Sequence, residues 1–70
     1  MKAKDLLGKE VLDSNAKTVG KVNDFEVDIA RGIVEHINVK AGLSKGYVVG
    51  LDKIQVVGDR IILIVTEDEL

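Results

Sequence analysis

Three acidic side chains alternate along one segment of the chain, at Asp24, Glu26 and Asp28, and this spacing raises the question of a metal site. Hard cations such as Ca²⁺ are held by several oxygen ligands that converge on one point. Side chains on one face of a strand, however, stand about 6.6 Å apart, so carboxylates strung along a single strand diverge. We therefore expect these residues to form a solvated outer face, and we predict no metal site and no cofactor.

The single histidine, His36, is the side chain best suited to acid–base chemistry. The strand pairing derived below places it opposite Glu26, where it would form either an ordinary exposed cross-strand pair or a pH-sensitive switch. The ordinary pair is the favoured interpretation. No Ser or Thr is placed by the sequence beside this histidine, so nucleophilic catalysis has no support, and we predict that the protein is not an enzyme.

The segment 42–46, Gly-Leu-Ser-Lys-Gly, contains the residue types of a phosphate-binding loop. Such a loop needs two glycines separated by four residues, followed by Lys and then Ser or Thr, at the start of a helix. Here the order differs and a strand is predicted to follow. We interpret the segment as a flexible hairpin connection.

Composition limits the classes of partner. The chain has 70 residues, a net charge of −2, 3% aromatic residues and no cysteine. A basic face and stacking aromatics mark most nucleic-acid binders, so we expect no direct contact with nucleic acid. Disulfides are impossible, and one histidine is too few for a Cys/His zinc site. No apolar run approaches the roughly 20 residues that span a bilayer, so we expect a cytoplasmic protein that does not insert into a membrane.

Short runs of Val and Ile, which make up 18 of the 70 residues, are broken by Gly, Asn and Asp. Branched side chains fit a pleated, half-buried surface. The sequence therefore predicts one all-β domain over residues 1–70, folded as a small, partly closed barrel of about five to six strands. A short helical turn is predicted at 5–8, and an exposed acidic tail at 67–70.

The spacing of apolar residues changes from three to two within the long strand predicted at 18–29, which indicates a β-bulge near Asn23. A three-residue loop at 30–32 follows, with Gly32 in the left-handed conformation. This loop keeps apolar residues opposite apolar residues, whereas a four-residue loop would invert the pattern. The predicted pairs are Phe25–Ile37, Val27–Glu35 and Ile29–Ile33 on one face, and Asp24–Asn38, Glu26–His36 and Asp28–Val34 on the other.

Gly58-Asp59 lies between two apolar runs, which is the signal of a two-residue hairpin loop. That loop places Val57 opposite Arg60 and Ile54 opposite Leu63. The face predicted to line the core comprises Ile54, Val56, Ile61, Leu63 and Val65.

Residues 61–65 are apolar on both faces, so part of this segment must point outward. Soluble monomers rarely expose a contiguous apolar patch of more than a few hundred Å². An outward stripe therefore predicts a homodimer that uses the last strand. The alternatives are a cover formed by Leu6, Leu7 or Leu43 of the same chain, or apolar residues scattered singly. The predicted interface residues are Val34, Val48, Val57, Ile62 and Ile64.

Turn glycines and apolar positions recur in three segments, which are Leu6 to Val11, Val19 to Asp28 with Gly32, and Ile54 to Leu63. In order and spacing these segments resemble the PRC-barrel family, and more closely its free-standing archaeal members. The resemblance covers essentially the whole chain and implies a PRC-type barrel, similar to a small SH3-like β-barrel. It implies no catalytic residues, because the family has no shared set. One departure is the absence of proline before 52–54, where many relatives have one.

We therefore predict a non-catalytic docking or adaptor module that binds an unidentified protein partner and self-associates. Members of the family include the cytoplasmic portion of the photosynthetic reaction-centre H subunit and the C-terminal domain of a ribosome-maturation factor. The second of these suggests an alternative, a factor associated with RNA processing or ribosome maturation. A small-ligand binder has no support, because the interior of so small a barrel is normally filled by side chains.

Overall fold

Six strands and three short 3₁₀ turns make up the computed structural model, which describes residues 1–70. The all-β prediction is confirmed. The helical turn lies two residues earlier than predicted. The strands are β1 (Glu10–Leu12), β2 (Thr18–Asp28), β3 (Ile33–Ala41), β4 (Lys45–Gly50), β5 (Ile54–Val57) and β6 (Ile61–Leu63), and the 3₁₀ turns are Ala3–Leu6, Leu51–Lys53 and Glu67–Glu69.

The six strands form one curled sheet in the order β4-β3-β2-β1-β6-β5, which makes a half-barrel. All neighbours are antiparallel except β1 and β6, which run parallel. The register of β2 shifts against β1 between Val11 and Leu12, and against β3 between Val22 and Asp24. The second shift leaves Asn23 unpaired, so the bulge predicted there is confirmed. Bulges bend and twist a strand, which is how β2 curls the sheet around its interior.

The core lies on the concave side of this sheet and contains nine buried apolar residues. Apolar burial is the dominant favourable contribution to folding, so these residues hold the strands in place. Partly buried apolar side chains, including Phe25, Ile54, Val57 and Val65, pack against them. The buried set is Leu6, Val11, Val19, Val22, Ile37, Val39, Val49, Ile61 and Leu63.

The hairpin between β2 and β3 differs from the predicted register near its tip. Phe25–Ile37 and Glu26–His36 pair as predicted, but Val27 pairs with Val34 rather than Glu35. The loop has four residues, 29–32, and Glu35 is an unpaired bulge that stays exposed. Gly32 has φ +66° as predicted. The bulge removes a carboxylate from the apolar row, and Asp28 accordingly pairs with Ile33 rather than with Val34.

The hairpin between β5 and β6 also contains an unpredicted bulge. Val57 pairs with Ile61 and Val56 with Ile62, so the loop comprises three residues, 58–60, and the two-residue loop was wrong. Ile54 pairs with Leu63 as predicted, because Gln55 is unpaired and restores the register. This shift exchanges the orientations of Val56 and Val57 relative to the predicted register. Val57 packs against the core, whereas Val56, predicted to lie in the core, is exposed.

The acidic C-terminal segment is folded against the β1–β2 turn rather than exposed as a tail. The buried carboxylate of Asp13 accepts hydrogen bonds from the backbone N–H groups of Glu67 at 2.9 Å, Lys17 at 3.0 Å and Asn15 at 2.9 Å. These bonds, that from Glu67 foremost, hold the pKa of Asp13 below its ordinary value. The Glu67 side chain in turn receives Lys17 Nζ at 2.9 Å and the Tyr47 hydroxyl at 3.1 Å, which lower its pKa.

Candidate functional site

An apolar groove of about 510 Å³ opens at one end of the half-barrel. Its walls come from the N-terminal 3₁₀ turn, the start of β3, the turn between β4 and β5, and β5 itself. All seven lining residues are apolar, so the groove suits an apolar side chain and offers no group for acid–base chemistry. They are Met1, Ala3, Leu6, Val34, Leu51, Ile54 and Val57.

Two strand bulges place valines in this groove. A one-residue shift in a strand moves a side chain to the opposite face of the sheet. Because Glu35 and Gln55 each occupy an extra position, Val34 and Val57 lie among the groove residues rather than on the outer face. The outward orientation predicted for both valines was therefore wrong. Since Leu6 is only 8% exposed and Val57 packs on the core, the floor of the groove is fixed.

The tip of the β2–β3 hairpin extends the apolar surface beyond the groove. Val27, 46% exposed, pairs with Val34 of the groove wall, and Ile33 is 40% exposed. Ile29 at the turn is 85% exposed, although isoleucine is among the residues most often buried. Groove and hairpin tip together form one apolar region at this end of the molecule, which we call the barrel mouth.

The five predicted interface residues do not form one stripe. Val34 and Val57 line the groove. Val48, 64% exposed, lies opposite Asn38 on the outer face of β4. The other two are on or after β6: Ile62 lines a separate cleft of about 730 Å³ that also has four charged residues in its lining, and Ile64 is 54% exposed.

Of the three leucines considered as a cover, only Leu6 is buried. Leu7 and Leu43 are 45% and 99% exposed. Leu6 contributes to the core and to the groove, while the outer valines and isoleucines remain accessible.

The acidic row on β2 is distributed as a solvated outer face. Asp24 accepts a hydrogen bond from the adjacent Phe25 N–H at 2.8 Å, and Asp28 accepts one from Arg31 N–H at 3.1 Å in the hairpin turn. Glu26 Oε2 lies 4.0 Å from His36 Nδ1 across the strand pair. The predicted Glu26–His36 pairing is confirmed, and no three of the acidic and histidine side chains converge as metal ligands would.

The glycine-rich segment at 42–46 joins two strands. Gly42 has φ +70°, and β4 begins at Lys45, two residues earlier than predicted. Lys45 Nζ lies 5.3 Å from the centroid of the Tyr47 ring, and its interaction with the Tyr47 side chain raises the pKa of Lys45. The lysine therefore lies on a hairpin strand and not at the start of a helix, as a phosphate loop would require.

Comparison with known proteins agrees with this architecture. The model of the PRC-barrel domain family matches residues 1–70, and a search of curated proteins finds no match. The family is a non-enzymatic, small β-barrel module that is often involved in protein interaction. None of the helical segments has the length and apolar character needed to cross a membrane. Since the family model covers every residue from 1 to 70, the chain belongs to the PRC-barrel domain family.

Proposed function

We propose that this protein is a non-catalytic docking module that binds a protein partner, and also self-associates, through the barrel mouth. The observation that carries the proposal is the groove of about 510 Å³ lined by seven apolar residues and no polar one. Enzyme sites combine an apolar pocket with several convergent polar groups. A groove without such groups can bind an apolar side chain but contains no polar side chain that could catalyse a reaction.

The apolar lining and the rigid floor of the groove support the same function. Interfaces draw their energy from a central apolar contact that excludes water, surrounded by a polar rim. The groove floor is rigid because Leu6, Ile54 and Val57 are part of the core or pack on it. Rigid sites lose little conformational entropy on binding, which favours affinity.

A site-specific photo-crosslinker tests this proposal in the source cell. The probe replaces Leu51, which is 37% exposed at the rim of the groove. We expect it to capture a defined protein partner identified by mass spectrometry. A probe at Leu43, 99% exposed in the β3–β4 turn, is the matched control and should not capture that partner. Equal capture at both positions would contradict docking at the barrel mouth.

Three of the predicted interface residues remain separate candidates in the same experiment. Probes at Val48, Ile62 and Ile64 report on the outer face of β4, the cleft of about 730 Å³ and the segment after β6. If one of these probes captures the partner and Leu51 does not, the docking surface lies there. No observation in the structure favours the RNA-associated alternative, which has only the resemblance behind it.

A further inference from the structure

The barrel mouth carries a projecting apolar side chain beside an apolar groove. Ile29 is 85% exposed at the hairpin tip, and the groove is lined by apolar residues alone. Neither feature is covered by another part of the chain. We propose that two copies of the chain form a dimer in which each inserts Ile29 into the groove of the other. This inference rests on the proposed docking function and deepens it by naming the partner and the contact.

The proximity of the two features favours a closed pair of copies. Val27 leads to the tip, and its strand partner Val34 lines the groove, so the tip begins beside the groove. In a two-fold interface the same patch is used by both copies, and each contact occurs twice. A two-fold axis between tip and groove therefore satisfies both features in both copies. It also prevents the open-ended growth of a head-to-tail contact.

The charges around the tip are compatible with insertion. The groove contains no charged side chain. At the tip, Asp28 receives the Arg31 backbone N–H at 3.1 Å, and the Arg31 guanidinium lies 3.9 Å from the same carboxylate. An unpaired charge buried at an interface would oppose association. Because the two charged side chains of the tip already face each other, insertion of Ile29 buries no charged side chain that lacks a partner.

Exposed apolar side chains are concentrated in the region where this dimer would form. A standard interface buries about 800 Å² on each partner, which is roughly one sixth of the 4648 Å² that this chain exposes. Ten large hydrophobic residues are exposed, and half of them lie in the barrel mouth. These five are Met1, Val27, Ile29, Ile33 and Leu51.

Sedimentation equilibrium with two matched variants tests the contact. Ile29→Asp places a charge at the inserted position, and Leu43→Asp makes the same change in another exposed hairpin turn. We expect wild type to dimerise in the micromolar range. Ile29→Asp should raise the dimer dissociation constant at least about tenfold, as expected for loss of a central apolar anchor, and Leu43→Asp should change it less than about twofold.

A mixing experiment separates direct contact from a general effect on folding. Leu51→Asp damages the groove but leaves the tip intact, whereas Ile29→Asp does the reverse. A mixed dimer of the two variants retains one intact tip-in-groove contact, so it should form more tightly than either variant alone. Equal affinity in the mixture and in the separate variants would overturn the insertion.

Other outcomes also decide the question. A dimer that Ile29→Asp leaves unchanged overturns the insertion while self-association stands, and species that grow without limit overturn the two-fold arrangement. If wild type is monomeric throughout the micromolar range, the dimer is wrong. Capture of a different protein by the probe at Leu51 would then preserve the docking function, and failure of both experiments would remove both proposals.

Discussion

Gly20 in β2 is the position where the curled sheet leaves no space for a side chain. A Cβ atom there would overlap the backbone carbonyl oxygen of Lys40, and it would lie 2.9 Å from the Lys40 carbonyl carbon and 3.0 Å from Val39 Cγ1. Carbon atoms in protein interiors are separated by about 3.5–4.0 Å at optimal contact. The change Gly20→Ala therefore requires β2 and β3 to separate by roughly 0.5–1 Å at this point.

The cost of this separation is large for so small a protein. Overpacking a well-packed site costs about 1–3 kcal/mol, and here the obstructing atoms are mostly backbone, which cannot rotate away. A 70-residue chain has a total stability of about 3.5–10 kcal/mol. For domains of this size, 1 kcal/mol lowers Tm by about 4–8 °C. We expect Gly20→Ala to lower Tm by about 10 °C or more, at about 2 kcal/mol of destabilisation.

Thermal unfolding followed by circular dichroism measures this effect. Gly46→Ala is the matched control, since Gly46 lies across from Lys40 in β4 and its nearest obstructing atom, Val39 O, is 3.4 Å away. That variant should melt within a few degrees of wild type or slightly higher, because alanine restricts the unfolded chain. If Gly20→Ala melts together with Gly46→Ala, the close approach of β2 and β3 at Lys40 does not limit the fold.

Three further predictions concern the C-terminal contact, the strand bulge and the outer surface. The backbone N–H groups of Glu67, Lys17 and Asn15 hold the pKa of Asp13 below its ordinary value of 3.8, so their stabilising effect is complete above that pH and is lost as pH falls through the lowered value. Asp13→Asn should therefore lower Tm at pH 7, and its difference from wild type should narrow in melts below pH 3.8. Deletion of the bulged Glu35 should preserve a folded amide NMR spectrum, whereas deletion of Asn38, which is regularly paired, should abolish it by moving core residues outward. Ile64→Lys should leave capture by the Leu51 probe unchanged, and loss of that capture would extend the docking surface to Ile64.

Local turn chemistry explains which parts of the fold were predictable from sequence. Gly32 adopts the left-handed conformation that its position after the turn requires, and Asn23 forms the bulge that the change of apolar spacing indicates. Phe25 and Ile37 pair because a slip of one residue would place polar side chains in the core. These features depend on residues close in sequence or on a strong apolar pattern, so the amino-acid types are enough to identify them.

The bulges at Glu35 and Gln55 could not be inferred in the same way. Each is a single extra residue in one strand of a hairpin, and the strand could form its ladder without it. The awkward placement of Glu35 opposite Val27 in the regular register was a signal that the strand would adjust. Gln55 lies between Ile54 and Val56 without any comparable conflict, so its bulge left no sequence signal.

Most of the residues that line the groove could not be predicted from the sequence either. Met1, Ala3 and Leu51 lie in short 3₁₀ turns or at the chain end, where no period of apolar residues reveals a shared surface. They meet because the parallel pairing of β1 and β6 brings the N-terminal turn beside β5, a contact between distant parts of the chain. The burial of Asp13 could not be predicted either, because its hydrogen bond from Glu67 spans 54 residues.

The irregular positions of the strands, rather than the regular ones, create the barrel mouth. A strict alternation in β3 would place Glu35 opposite Val27 and direct Val34 outward. A strict alternation in β5 would do the same to Val57. The bulge in β3 therefore removes a carboxylate from the end of the barrel and supplies Val34 in its place, whereas the bulge in β5 replaces Val56 with Val57. Two such changes on strands that are distant in the sheet order converge on one groove. Core packing alone does not require this result, because Val34 and Val57 are only partly buried and remain accessible to a partner.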